Sequence, residues 1–184
     1  MRIRTMTLAM IAALGLAGCG DSTPIPAAPS SAPAPAATSR SPNAAALAAA
    51  FAPLPAGEID KASRADPDCN LDVVDGKPAG SVPLARGSSP VFSGWAADGA
   101  SKSVPPTITL VLKGAQDFAV QAATGAPPRE DVAAITKVPA FRASGYAIKA
   151  DLSAVPAGQY SIVILEQAGG KRISCTPGKR VTIQ

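Results

Sequence analysis

The chain has 184 residues, with 17 Lys and Arg against 13 Asp and Glu, no histidine, and a formal charge of +4. One domain is the natural expectation at this length, and two would be cramped. Without histidine the usual neutral-pH proton carrier and the commonest metal ligand are both missing, which excludes Ser-His-Asp triads, Cys-His dyads, zincin motifs and C2H2 fingers together.

At the N-terminus, Arg2 and Arg4 precede an apolar run from Met6 to Ala17, which Gly18-Cys19 closes. The run is too short for a permanent bilayer span and has the proportions of the central part of a secretory signal. Leu16-Ala17-Gly18-Cys19 resembles the lipobox of bacterial lipoproteins. That resemblance implies a signal peptide over 1–18, acylation of Cys19, cleavage just before it, and a new N-terminus held on the membrane. A small residue at 18 admits the peptidase, the thiol at 19 accepts the acyl group, and two or three acyl chains anchor where one would not. In that class an Asp directly after the lipid-bearing Cys favours inner-membrane retention. Here the slot holds Gly20, so the resemblance points to the outer membrane, with the domain in the periplasm or at the cell surface.

Removing residues 1–18 takes away Arg2 and Arg4 and lowers the formal charge from +4 to +2. That near-neutral balance lacks the clustered Lys and Arg that nucleic acid requires, so nucleic acid is not expected as a partner. After the lipid-bearing Cys19, residues up to 56 are dominated by Ala, Pro and Ser, with prolines at 24, 26, 29, 33, 35, 42, 53 and 55. Such a stretch favours polyproline II and predicts a disordered Pro/Ala-rich linker, residues 19–56, that could reach ~100 Å when extended. Within it, Asn43 to Phe51 predicts a short helix, capped by Asn43 and stopped by Pro53, that docks weakly through Leu47 and Phe51.

Residues 57–184 read differently, as short apolar runs divided by Gly, Pro, Asn and Asp, the pattern of an all-β domain. The expected strands are 70–74, 81–84, 91–96, 107–113, 118–122, 144–151, 159–167, 172–175 and 180–183. In 107–113, Ile108, Leu110 and Leu112 share one face. In 159–167 both Tyr160-Ile162-Ile164 and its opposite row are apolar, which predicts a central strand. One helical insert is expected over 127–135, where Pro127 and Pro128 suit a first turn and Glu130 and Asp131 suit the dipole. Seven to nine short strands in about 115 residues fit an immunoglobulin-like β-sandwich. With Cys19 taken by lipid, Cys69 and Cys175 remain as an even pair in a secreted context and predict a disulfide that ties the domain's ends.

Gly94-Trp95-Ala96-Ala97-Asp98, Arg129-Glu130-Asp131-Val132-Ala133, Ser144-Gly145-Tyr146, Asp151-Leu152 and Pro156-Ala157-Gly158-Gln159-Tyr160 resemble an immunoglobulin-like module of uncharacterised bacterial envelope proteins, met also beside glycosyltransferase-like membrane proteins. The resemblance covers roughly 69–184 and implies a fold, with no settled activity and no catalytic residue. Three residues stand as possible ligand contacts. Trp95 is either core filling or, if exposed, a stacking platform for a sugar. Arg129 and Asp131, two apart, do not face each other on a helix; each either braces the structure, Arg129 across the sandwich end and Asp131 to a backbone amide, or meets a ligand.

Asp66, Asp68, Asn70 and Asp72 alternate as in a calcium loop, but Leu71 and Lys77 stand where an EF-hand needs Gly and Glu, so no metal site is expected. Glu130 and Asp131 have no second carboxylate tied to them by spacing for acid/base work, and no serine has a recognisable base. The sequence therefore predicts a non-catalytic, cofactor-free, lipid-anchored module that binds an envelope protein or glycan through sandwich loops or a strand edge. A structural accessory subunit of an outer-membrane assembly is the alternative, and a wall-acting or glycan-acting hydrolase is disfavoured.

Overall fold

A computed structural model of the chain describes residues 49–64, 68–168 and 170–184. The expected signal peptide, Cys19 and the linker as far as residue 48 lie outside the described residues. In chain order the strands begin with three two-residue pieces, β1 (Ala49–Ala50), β2 (Ala52–Pro53) and β3 (Ser63–Arg64). They continue with β4 (Cys69–Val74), β5 (Lys77–Pro78), β6 (Val91–Ala96), β7 (Thr107–Lys113) and β8 (Phe118–Ala123). A helix α1 (Glu130–Thr136) and a 3-10 helix (Pro139–Ser144) then precede β9 (Gly145–Asp151), β10 (Gly158–Ala168), β11 (Lys171–Cys175) and β12 (Arg180–Ile183). The described chain is thus all-β in two sheets, as expected, with two short helical segments in place of the single expected insert.

One sheet runs β1-β9-β6-β4-β5 and the other β2-β8-β7-β10-β11-β3. β10 is the spine of the second sheet. Ser161 to Glu166 pair with β7 along one edge, while the other edge is shared between β12, opposite Gly158–Ser161, and β11, opposite Ile164–Ala168. Its two apolar rows explain this central place. Tyr160, Ile162 and Ile164 enter the inter-sheet core with Leu110 and Leu112 of β7 and Leu71, Phe92 and Tyr146 of the facing sheet. Val163 and Leu165 lie on the outer face, where Leu54, Ile59 and Ala62 of the segment after β2 cover them.

Among the described residues pairing begins at Ala49, inside the stretch whose composition reads as linker. β1 pairs in parallel with β9 of one sheet and β2 antiparallel with β8 of the other. Phe51, between them, is 1 % exposed, and its ring stands edge-on to Phe92 with centroids 5.6 Å apart. The backbone is therefore extended from 49 to 53 where the sequence predicts the end of a helix. Ala and Pro carry no periodic signal, whereas burying one phenyl ring between two sheets is worth about 1.5–3 kcal/mol and fixes the local conformation.

Other differences have equally local causes. The expected strand over 81–84 is absent, because Pro83 cannot donate to a ladder. Leu84 alone bridges to Ile183, donating its N–H to the Thr182 carbonyl and accepting from the Gln184 amide. The hairpin between β4 and β5 turns on Asp75 and Gly76, both at positive φ (50° and 72°), as a tight two-residue connection requires. Cys69 and Cys175 form the disulfide, Cα to Cα 6.2 Å. Because Cys69 opens β4 and Cys175 closes β11, the bond joins the two sheets across the core.

Candidate functional site

Trp95, Arg129 and Asp131 gather at the end of the molecule where α1 and the 3-10 helix interrupt the strands. Arg129 stands just before α1 in non-helical backbone, with φ −116° and ψ 71°. Its Nε and Nη2 donate to Asp131 Oδ1 and Oδ2 at 2.9 and 2.7 Å, and Nη1 donates to Asp72 Oδ2 of β4 at 2.7 Å. The expectation that Arg129 and Asp131 do not face each other is therefore overturned. The spacing rule holds inside a helix, and Arg129 lies outside it, free to fold its fork back onto the first turn. Its reach across the sandwich end to Asp72 is as expected.

The Asp131 carboxyl is held down to about 2, chiefly by hydrogen bonds from Arg129, although it is largely exposed. The Arg129 side chain is 15 % exposed and fully engaged by two carboxylates. As it stands, this is a closed brace between insert and sheet.

Behind the brace the contacts are tight. Asn70 Nδ2 donates to Asp72 Oδ1 at 2.5 Å, and the buried Tyr146 hydroxyl donates to the Asn70 carbonyl at 3.0 Å. Burial first, and then the Asp72 charge, push the Tyr146 phenol far above its ordinary range. A Cβ on Gly94 would overlap the Asn70 carbonyl and lie 2.6 Å from the Tyr146 hydroxyl. The room that Gly94 provides thus serves Tyr146. Trp95, half-buried, packs with Val104 and Val138 around Ala97, Val132 and Phe141 in a satellite core under the insert.

The insert is pinned again by an Arg142–Glu130 ion pair between its two helical segments. One turn beyond the buried Val132, Ile135 is 81 % exposed. The insert thus holds a large apolar side chain in solvent on a braced helix. Pro128, Pro139, Ala140 and Ala143 line a shallow depression on the same insert.

The alternating acidic residues near β4 are committed elsewhere. Asp68 Oδ2 accepts from the Gly99 amide at 2.9 Å, Asp72 meets Arg129, and Asp66 lies outside the described residues. Among the described residues no group of three or more acidic or cysteine side chains is arranged to hold a metal.

Glu166 is a residue that sequence reasoning missed. It is 2 % exposed, and its Oε2 has no hydrogen-bond partner among the described residues. Burial, reinforced by the charges of Asp98 and Asp68, raises its carboxyl to about 8. Asp98 itself stays ionised, held low mainly by the Ser101 hydroxyl at 2.6 Å with the Ala100 and Ser101 amides. The signal was present in the sequence, since the row Tyr160-Ile162-Ile164 continues by period two to 166. At neutral pH Glu166 is an uncharged, almost fully buried acid. Comparison with protein-family models, characterised proteins and solved structures finds nothing that matches this chain.

Proposed function

We propose that this chain is a lipid-anchored, non-catalytic module of the bacterial envelope, an immunoglobulin-like sandwich that presents its α1 insert to a protein partner. The observation that carries the reading is Ile135. At 81 % exposed, Ile135 gains almost nothing from burial in the monomer, yet the helix bearing it is held by Arg129, by the Arg142–Glu130 pair and by a satellite core. A rigid apolar residue presented this way supplies binding energy with little ordering cost. The lipobox-like Leu16-Ala17-Gly18-Cys19 supports an outer-membrane address, and a Cys69–Cys175 bridge suits an oxidising compartment.

Two measurements in intact cells test the reading. A photo-crosslinking residue at Ala134 should give a discrete adduct that disappears with Ile135→Asp and that the same probe at Val82, also exposed, does not give. No adduct, or the same adducts from both positions, would sink the docking role. The anchor is checked separately: Cys19→Ala should leave the membrane fraction, and continued membrane partition would refute lipidation at that residue.

A further inference from the structure

The outer face of the seven-stranded sheet is only partly covered. The segment after β2 crosses it, laying Leu54, Ile59 and Ala62 on Val111, Val163 and Leu165. Beside that crossing lies a groove of about 380 Å³, within the range of small-ligand sites. Its floor is set by register. Thr109 of β7 stands opposite Gln121 of β8 and Leu165 of β10, while Ile108 pairs with Glu166 and so sets Thr107 beside Gln167. Thr107, Thr109, Gln121 and Gln167 fall on the outer face by alternation, and none of their side chains is hydrogen-bonded among the described residues.

Those four side chains offer two hydroxyls and two carboxamides, each able both to donate and to accept. The wall is the Glu58–Arg172 ion pair at 2.5 Å, and the groove's remaining acid, Glu166, is 2 % exposed and protonated at neutral pH, so the groove presents no unpaired charge. A charged ligand would have to break that pair. A peptide could not join as an extra strand, because β7 is paired on both sides, to β8 and to β10. What remains complementary is an uncharged molecule rich in hydroxyls that is recognised through side chains alone.

We infer that this groove binds a neutral oligosaccharide across Thr107, Thr109, Gln121 and Gln167, against the Glu58–Arg172 wall. The inference concerns a different face from the α1 insert and stands whether or not a protein docks there. Among the described residues no aromatic ring lines the groove, so recognition rests on hydrogen bonds and is weak and additive.

The test is a titration of the full chain in detergent micelles with chitotetraose, cellotetraose and maltotetraose, read in every variant by the backbone amides of Thr107–Lys113 at the groove floor and in the parent also by the carboxamide resonances of Gln121 and Gln167. At least one glycan should shift both at ~10 mM, the concentration suited to ligands held by a few uncharged hydrogen bonds. The double variant Gln121→Ala with Gln167→Ala, both exposed positions, should melt like the parent and bind about tenfold more weakly or worse, and Thr109→Val should weaken binding while keeping its shape. Silence with all three glycans overturns the inference. So do shifts centred on the Trp95 indole, undiminished binding by the double variant, or equal shifts from a neutral Ala-Ser-Pro-Ala peptide.

Discussion

Replacing Glu166 with glutamine removes one titration and little else. Its carboxyl ionises near 4.5 when free and near 8 in the fold. Between those values the native state holds a proton that the unfolded chain has released. Stability therefore falls as pH rises through that window and levels off above about 8. At ~1.4 kcal/mol per pH unit the shift corresponds to a loss on the order of 5 kcal/mol. The window is clean, because the chain has no histidine, and Glu58, Asp98, Asp131 and Asp151 are all held below their ordinary values. Urea unfolding at pH 5, 7 and 9, disulfide intact, should show the wild-type midpoint falling with a constant slope while the Glu166→Gln variant stays flat. A Glu166→Met control removes the charge without adding donors and should behave alike. If wild type and both variants fell in parallel between pH 5 and 8, a buried acid at Glu166 would be the wrong account.

Three further outcomes follow from the packing. Phe51→Ala should cost about 3–5 kcal/mol in urea unfolding, as for a buried ring in a core; a change under about 0.5 kcal/mol would mean that the residue behaves as linker. Gly94→Ala should cost about 2–4 kcal/mol, since the added methyl overlaps the Asn70 carbonyl and displaces the Tyr146 hydroxyl. A melt unchanged from wild type would refute that close approach. Cys69→Ser with Cys175→Ser should lose up to about 4–5 kcal/mol for a closure spanning 106 residues, and non-reduced mass spectrometry that finds both thiols free would refute the bridge.

The parts of this molecule visible in its sequence are those where a period repeats. Val91–Ala96, Thr107–Lys113 and Arg180–Ile183 are strands with the boundaries their alternation predicts. The double apolar row of β10 announces a central strand for the physical reason that both its faces are covered. The pieces that escape are two-residue pairs such as β1, β2 and β3, whose conformation is imposed by a neighbour and not by their own Ala, Pro and Ser. Phe51 is the instructive case: a lone aromatic in a Pro/Ala-rich stretch reads as a weakly docking side chain, yet it lies in the inter-sheet core. At the insert, the residue types and the reach of Arg129 to the sheet were legible, and its contact with Asp131 was not. Arg129 and Asp131 meet because the helix starts one residue later than Arg129, and a shift of one residue decides whether a spacing rule applies. Glu166 was hidden by its chemistry, since a carboxylate at the end of an apolar row is easily read as the place where the row stops.

The disulfide also decides how the described chain would respond to being pulled. Load that enters at Ala49 and leaves at Gln184 crosses from Cys69 to Cys175 through a covalent bond, so the strands between them carry no tension. What can be drawn out on the N-terminal side is the stretch from Ala49 to Asp68, ~70 Å when fully extended, and the first resistance is the two-residue parallel pairing of β1 with β9 and the seat of Phe51. Beyond that the bridge arrests extension. A module held by its N-terminus would thus yield a short, fixed length under force and keep β6 to β10 and the insert in their folded form, while the outer sheet face would lose the cover of Leu54, Ile59 and Ala62.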